Sequence, residues 1–491
     1  ILTEAIRALK GDAVPLVASR FDGGYGVSPS AVRRILATGA RLLVTCDCGS
    51  SDHVGLREVM AAGVDVVVID HHLVPDEPLP ALGFLNPHRP ECGFGYKHLT
   101  SCGLALSIVA ALRKELGVDL DVRYWLDLVA IGTIADVAPL DGDNRSLVRA
   151  GLEAIRKAER PGMKALLALA KIKGESPLTA RDISFRIAPH INAPGRLGAA
   201  DLSLELLLAK DAAEAERIAQ QIEQISTQRR SLSDEMVTQA CEEIERQGLA
   251  SQPAIVVGRP GWNHGVVGIV AARLTELYER PVIVVGFEGD VGRGSVRGPR
   301  GSRLHDALCR VSDVLVRFGG HQAAAGCELK LDNLELLQQR FAEAVDGQGP
   351  VAKIEPGENL LALDADDEPQ RVLADLDRLE PCGMDNPRPR LLVEARVDAA
   401  RELKGSHLKL YLTLPSKRVL ECFGPNLGQH ASTLTGNVML EGDLRHNTYP
   451  GSPPAELLIE KVWALEAPVV VVSETRISAA PVSVRGEEAR G

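Results

Sequence analysis

The sequence predicts an α/β protein: a parallel-sheet domain, a long connecting helix, a second α/β domain and a small β-barrel. Short β-branched runs alternate with helical patterns over residues 1–140, which is typical of a doubly wound sheet. Residues 199–247 contain neither Gly nor Pro, which favours a long helix. Between residues 393 and 462, short apolar runs are separated by turn signals, which favours a small barrel.

Two apolar runs near the start of the chain carry the first functional signal. Residues 41–46 and 64–69 are predicted to be buried parallel strands, joined by a helix over residues 53–62. Right-handed crossovers bring the carboxyl ends of such strands to one sheet edge, where open α/β sheets bind ligands. Asp47 follows the first strand, and Asp70, His71 and His72 follow the second. These side chains suit Mn²⁺, Mg²⁺ or Zn²⁺, although the triplet alone also fits a turn-capping Asp with two surface histidines.

A third carboxylate joins this set. The apolar segment 125–137 is expected to break at Gly132, which places Asp136 in a turn before Pro139. Several carboxylates and a histidine pair at the ends of buried elements indicate a cluster that a cation must neutralise. Cys46 and Cys48 flank Asp47, and the alternation of side chains along a strand should point both thiols away from it.

These motifs resemble the DHH phosphoesterase superfamily and, within it, the RecJ family of single-strand-specific exonucleases. Asp47, the Asp-His-His triplet and Asp136 match the second, third and fourth motifs of the superfamily. RecJ-like stretches cover residues 186–196 and 261–271, and residues 319–326 resemble the signature of the DHH-associated domain. Within the second of these, Asn263 stands where the family usually has His, which departs from the pattern.

The resemblance implies a metal-dependent exonuclease that degrades single-stranded DNA from its 5′ end, in DNA repair and recombination, with two Mn²⁺ or Mg²⁺ ions. The implied metal ligands are Asp47, Asp70, His71, His72 and Asp136, of which His71, His72 and Asp136 are also catalytic. The implied substrate-binding residues are Asn192, Arg196, Ser295, Arg297 and His321.

A basic segment supports the substrate assignment independently. Arginines and glycines alternate over residues 292–303 without an acidic residue. Glycine lets the backbone approach an anion closely, and the guanidinium fork fits phosphate. The alternative is a solvated basic loop. The glycines around His321 likewise favour a contact between this histidine and the substrate. The alternative is that His321 has a structural role.

One motif of the superfamily does not occur in this sequence. The first motif, Asp-x-Asp-x-Asp-Gly on the first strand, is absent, and residues 2–10 resemble the end of the helix that follows it. The expectation is an N-terminally truncated chain, impaired because two metal-binding aspartates are missing.

Composition restricts the class of protein. The chain has 491 residues, nine scattered cysteines and a formal net charge of −11, and no run reaches the ~18 apolar residues of a membrane helix. These features suit a cytoplasmic, monomeric enzyme. The expected partners are single-stranded DNA, a single-strand-binding protein and a helicase, with no membrane.

The expected domains follow the motifs. They are a DHH domain (1–205), a connecting helix (206–250), a DHH-associated α/β domain (251–350), an OB-fold-like domain (370–467) and a disordered tail (468–491). The alternatives are a small-nucleotide DHH phosphoesterase, which would not need the helix or the barrel, and a non-catalytic single-stranded-DNA-binding fragment.

Overall fold

The computed structural model describes residues 1–19, 21, 26–172, 174, 177–320, 322, 324–349, 359–364, 366–447, 449, 451–465, 470–472 and 477–478. The chain divides into two compact units. One contains residues 1–138, 150–173 and 182–355, and the other contains residues 139–149, 174–181 and 356–491. None of the described helices combines the length and the apolar character that a membrane span requires.

The elements up to residue 250 are mostly helical. The strands are β1 (Leu42–Cys46), β2 (Asp65–Ile69) and β3 (Gly83–Leu85). The helices are α1 (Leu2–Ala8), α2 (Pro29–Ala37), α3 (His53–Ala61), α4 (Ser101–Leu116), α5 (Leu126–Ala135), α6 (Gly142–Lys157), α7 (Pro161–Leu169), α8 (Ala180–Asp182), α9 (Ala188–Arg196), α10 (Asp201–Leu208) and α11 (Ala212–Gln247).

The first sheet confirms the predicted strand pair. β1, β2 and β3 are parallel and lie in that order, with Leu42 opposite Asp65 and Val67 opposite Gly83. Val66 and Val68 of β2 are fully buried, in a core that includes residues of α2 and α3. The three strands therefore end at one edge of the sheet.

The predicted break at Gly132 is wrong. α5 continues through Gly132 to Ala135, and Asp136 caps its C-terminus. A Cβ atom at residue 132 would lie 2.2 Å from Sγ of Cys102, so the glycine is needed for close packing against α4. Asp136 still lies where the chain leaves an apolar element, as the sequence analysis expects.

A buried ion cluster ties α1 to the helices behind the sheet. Arg160, with 3% of its side chain exposed, donates from Nε to Asp127 (2.8 Å) and from Nη1 to Glu4 (2.7 Å). Trp125 donates from Nε1 to the same Glu4 carboxylate at 2.8 Å. The position of α1 is therefore set by charges, in addition to apolar packing.

The long helix begins later than the sequence pattern suggests. Residues 206–208 belong to α10, and α11 starts at Ala212 because the side chain of Asp211 accepts a hydrogen bond from the amide of Glu214. Apolar residues of its N-terminal half are buried with those of α7 and α10. Apolar residues of its C-terminal half are buried with those of α12 (Val267–Tyr278) in the second domain.

The second domain is a mixed sheet covered by helices. Its strands are β4 (Ile255–Pro260), β5 (Val282–Glu288), β6 (Val291–Arg297), β7 (Arg317–Gly320) and β8 (Ala324–Lys330), in the order β4-β5-β6-β8-β7. Its helices are α12 (Val267–Tyr278), α13 (Leu304–Arg310) and α14 (Leu334–Asp346).

The basic segment is partly a strand, which corrects its alternative reading as a loop. β6 runs antiparallel to β5 and β8, at the centre of the sheet. A Cβ at Gly292 would lie 2.5 Å from the ring of Phe287, and one at Gly294 would lie 2.7 Å from Sγ of Cys327. These glycines therefore make room for neighbouring core side chains, which the sequence analysis did not foresee.

The second unit contains the predicted barrel. Its elements are β9 (Leu360–Ala362), α15 (Pro369–Asp377), β10 (Arg390–Leu403), β11 (His407–Thr413), β12 (Val419–Gly424), β13 (Gly436–His446), β14 (Ala455–Ala464), β15 (Val470–Val472) and β16 (Ile477–Ser478). The barrel closes because β12 pairs with β14 as well as with β11. Residues 470–472 pair with β14, where the sequence analysis expects a disordered tail, because the run is β-branched.

Candidate active site

The ends of the three parallel strands build the centre of the site. Asp47 directly follows β1, and its amide donates to the carbonyl of Ile69 at 3.1 Å. Asp70 directly follows β2, and its amide donates to the carbonyl of Leu85 at 3.0 Å. Asp47 has a φ of +66°, so the chain turns sharply there and leaves the line of the strand.

His71 lies between two carboxylates. Its Nε2 is 3.1 Å from Oδ1 of Asp47 and 3.4 Å from Oδ2 of Asp136. Asp47, Asp70, His71 and His72 each offer a ligand atom, and these atoms all lie within 4.8 Å of one another. The structure thus brings together all five residues expected at a metal centre.

Asp70 holds the histidines in position. Its side chain is buried, and Oδ1 accepts hydrogen bonds from the amide of His71 (2.8 Å) and from Nδ1 of His72 (2.7 Å). The amide of Ser50 donates to Oδ2 at 3.2 Å. Because the orientation of a ligand depends on such contacts, Asp70 is suited to a positioning role.

The pKa values follow from this geometry. The hydrogen bond from His71 lowers the pKa of Asp47. Burial would lower the pKa of His71, but the nearby carboxylates of Asp47 and Asp136 outweigh it and raise that pKa. The hydrogen bond to Asp70 raises the pKa of His72, and burial raises the pKa of Asp136. Without a cation, the imidazoles therefore take up protons in its place.

Asn86 is a residue of the site that the sequence pattern did not indicate. This residue directly follows β3, is 3% exposed, and donates from Nδ2 to the carbonyl of His72 at 2.8 Å. Its Oδ1 accepts from the amide of His88 at 2.8 Å. The signal was available, because Asn86 follows an apolar pair at the same sheet edge, but the strand is only three residues long.

The residues of this cluster fit a divalent cation. Carboxylates suit Mn²⁺ and Mg²⁺, and neutral imidazoles are ligands of divalent transition metals. The possible ligand group found among the described residues consists of Asp47, Asp70, His71 and His72.

Mn²⁺ binding should depend on pH. A cation needs neutral imidazoles, and the raised pKa values of His71 and His72 mean that protons must leave first. We expect Mn²⁺ affinity to rise with pH until the pH exceeds these raised pKa values, by about tenfold per pH unit for each proton displaced, and then to level off. Calorimetric titration in buffers of different ionisation enthalpy measures both quantities, with His430→Gln as a control. Equal affinity at pH 6 and pH 8 without proton release would contradict this expectation.

A second group of predicted residues gathers around the segment 265–268. Nη1 of Arg196, at the end of α9, lies 3.4 Å from the carbonyl of Gly265. Ser295 Oγ and Arg297 Nη2 would lie 3.1 and 3.4 Å from a Cβ atom at Gly268. Glycine at residue 268 therefore leaves the hydroxyl and the guanidinium uncovered by a side chain.

Arg297 differs from Arg293, the other arginine of strand β6. Its Nη1 donates to Ser295 Oγ (3.0 Å) and to the carbonyl of Val296 (2.8 Å), and burial lowers its pKa. No salt bridge to Arg297 occurs among the described residues, whereas Arg293 pairs with Glu328 at 3.3 Å. A half-buried cation without an acidic partner is suited to binding an anion.

The contacts given for the other two predicted substrate-binding residues, Asn192 and His321, are fewer. Asn192 is exposed on α9, four residues before Arg196, so both lie on one side of that helix. His321 lies outside the described residues, although strands β7 and β8 flank it.

The barrel carries a further charged surface. Lys409 Nζ lies 2.8 Å from Glu421 and 2.7 Å from Glu456. Arg445 also pairs with Glu456, and its guanidinium lies 5.4 Å from the ring centre of Phe423. Because its charges are largely paired, this surface is suited to a weak, supporting contact with a strand.

The chain matches family models in each domain. Residues 1–133 match the DHH family N-terminal domain, residues 251–347 match the DHHA1 domain, and residues 361–461 match the RecJ OB domain. The expected fold class is therefore confirmed.

Individual relatives give the same result. The single-stranded-DNA-specific exonuclease RecJ of Dickeya dadantii is 35% identical over 489 residues, which cover 94% of this chain and 84% of the relative. RecJ of Bacillus subtilis is 34% identical over 471 residues, which cover 94% of this chain but 58% of that relative. The crystal structure of RecJ in complex with Mn²⁺ from Thermus thermophilus has a TM-score of 0.79 and 32% identity, covering 95% of this chain and 66% of that one. The chain belongs to the RecJ family of single-stranded-DNA-specific exonucleases.

Proposed function

We propose that the protein hydrolyses phosphodiester bonds of single-stranded DNA from the 5′ end and releases mononucleotides. The observation that carries the proposal is the convergence of Asp47, Asp70, His71, His72 and Asp136 at one sheet edge, as a cluster that fits divalent cations. The related RecJ of Thermus thermophilus has been crystallised with Mn²⁺ and with Mg²⁺.

Each of the site residues would have a separate role in the reaction. Asp47, His71, His72 and Asp136 would be among the ligands of two Mn²⁺ or Mg²⁺ ions, and Asp70 would fix the direction of His72. When bound, such ions activate water and offset the negative charge that develops on the phosphate. Arg297 and Ser295 would bind the 5′-phosphate, with Arg196 beside them, and so fix which bond reaches the cluster.

The biological setting follows from the substrate. We propose a role in DNA repair and recombination in the cytoplasm of a bacterial-type cell. A helicase would supply single strands there, and a single-strand-binding protein would keep them unpaired. A monomer would be sufficient, because all the named residues come from one chain.

Digestion of labelled DNA by the full product of the gene tests this function. With Mn²⁺, we expect mononucleotides from a single strand labelled at its 5′ end, no attack on a blunt duplex, and slow or no cleavage of a dinucleotide. Release that begins at the 3′ end, or equal digestion of the duplex, would overturn the proposal. Rapid cleavage of the dinucleotide alone would favour a small-nucleotide phosphoesterase, and binding without cleavage would favour a DNA-binding protein.

Replacement of Arg297 tests the end-binding role. Arg297→Gln should weaken binding of a 5′-phosphorylated strand by about ten- to a hundredfold, because a charge-assisted hydrogen bond contributes roughly 1.5–3 kcal/mol. Arg293→Gln is the matched control, since Arg293 lies on the same strand but already pairs with Glu328. If Arg297→Gln binds 5′-phosphoryl and 5′-hydroxyl strands as the wild type does, the assigned role is wrong.

A further inference from the structure

The start of α4 lies beside the candidate metal cluster. This helix begins at Ser101, and the hydroxyl of Thr100, which precedes it, lies 3.3 Å from the hydroxyl of Thr133 on α5. α5 ends three residues after Thr133 in the turn that presents Asp136. The first turn of α4 is therefore tied to the helix that supplies one of the cluster carboxylates.

The side chain of Ser101 carries a buried donor without a partner. The residue is 6% exposed, and its Oγ makes no hydrogen bond to any residue that the structure describes. It does not cap the helix, because the N-cap residue is Thr100. Buried hydroxyls are normally hydrogen-bonded, so the free Oγ indicates a second arrangement in which this hydroxyl has an acceptor.

The carboxylate of Asp47 is the acceptor within reach. The hydrogen bond from His71 has the largest influence on Asp47 and lowers its pKa, and the nearby hydroxyl of Ser101 lowers that pKa further. The hydroxyl thus acts on the carboxylate from close by, although the two do not form a hydrogen bond of normal geometry. Rotation of the serine side chain is sufficient to complete that bond.

The carboxylates that follow β1 and β2 are held unequally. Asp70 accepts hydrogen bonds from the amides of Ser50, His71 and His72 and from Nδ1 of His72. In the described part of the chain, the carboxylate of Asp47 accepts one hydrogen bond of normal geometry, from Nε2 of His71 at 3.1 Å. This bond is lost when Nε2 binds a cation, because a ring nitrogen that binds a metal carries no proton.

We propose that Ser101 is a positioning residue, whose hydroxyl donates to the carboxylate of Asp47 when Nε2 of His71 turns to a divalent cation. The serine would hold one carboxylate oxygen and leave the other facing the cluster. Contacts of this kind fix the direction of a ligand and so raise the affinity of a metal site. The inference rests on the proposed function, because it takes a divalent cation as the cofactor.

The variant Ser101→Ala tests this role in the full product of the gene. In EDTA it should unfold at the temperature of the wild type or slightly above, because it replaces a buried hydroxyl without a partner by a methyl group. Calorimetric titration should show Mn²⁺ affinity about ten- to a hundredfold lower. The increase in unfolding temperature that Mn²⁺ produces should become smaller in proportion. A residue with a purely structural role would not separate these measurements in this way.

Ser107→Ala is the matched control, because it makes the same change on the same helix. The hydroxyl of Ser107 already donates to the carbonyl of Gly103 at 2.9 Å. It lies six residues from Ser101, or about 9 Å along the helix. This variant should bind Mn²⁺ as the wild type does, and both variants should bind a single strand in EDTA with wild-type affinity.

Three outcomes would overturn the inference. If Ser101→Ala binds Mn²⁺ as tightly as Ser107→Ala, the serine does not position Asp47, while the proposed function stands. If Ser101→Ala unfolds at a clearly lower temperature in EDTA, its hydroxyl has a structural role without the cation. If the wild type binds no Mn²⁺ at all, the proposed function fails together with the inference.

Discussion

Replacement of Asp136 by Asn is expected to abolish Mn²⁺-dependent cleavage of single-stranded DNA while leaving strand binding unchanged. The carboxylate lies 3.4 Å from His71 Nε2, and 42% of the side chain is exposed, so it adjoins the candidate metal cluster and contributes little to the core. Loss of a group that merely orients a ligand costs about 10–100-fold in affinity or activity. We therefore expect the loss of a ligand to reduce the rate on the order of 100-fold or more.

Three measurements separate chemistry from folding for this variant. Nucleotide release is followed with Mn²⁺, strand binding in EDTA, and stability by thermal unfolding. Asp65→Asn is the control, because Asp65 is an exposed carboxylate at the opposite end of the strand that leads to Asp70. A wild-type cleavage rate in Asp136→Asn would remove this residue from the catalytic set.

The largest effect on stability is expected for Arg160→Met. In the described part of the chain, Arg160 is the only cation shown to pair with the buried carboxylate of Asp127 and the partly buried carboxylate of Glu4. Breaking a buried pair by removing one partner typically costs 3–5 kcal/mol, because the remaining charge stays buried and unpaired. Urea unfolding followed by circular dichroism should show an earlier transition, with α1 released first.

A neutral triple variant identifies the cause. Glu4→Gln/Asp127→Asn/Arg160→Met removes the stranded charges and should recover much of the lost stability. Arg123→Gln should not change the transition, because Arg123 and its partner Asp121 are exposed. If the triple variant is no more stable than Arg160→Met, the loss arises from packing around Tyr124, whose ring lies 4.1 Å from the guanidinium.

The sequence was sufficient to predict most of the candidate metal cluster, because Asp47 and the Asp70–His72 triplet follow strands. Apolar β-branched runs give the position of β1 and β2, and the handedness of the crossover then brings Asp47 and Asp70 to the same edge. This prediction needs no information about contacts between residues that are far apart in the sequence. Asn86 can be predicted in the same way only if the three-residue strand β3 is recognised, and such short runs have no clear periodicity.

Other features depend on contacts between distant residues. Gly132 is accommodated in a helix because Cys102 occupies the space that a Cβ would take, and nothing near residue 132 in the sequence indicates this. The glycines of β6 suggested a loop, because their role in the strand depends on Phe287 and Cys327.

The shared helix α11 restricts how the spacing of the family can change in evolution. Its two ends are buried in different cores, so one rigid element sets both the distance and the rotation between them. Insertion of one residue between Ile222 and Met236 would turn the second core by about 100° and displace it by about 1.5 Å. Insertion of seven residues would nearly restore the rotation but would move that core by about 10 Å. Length changes within this segment should therefore be much rarer than in the loops.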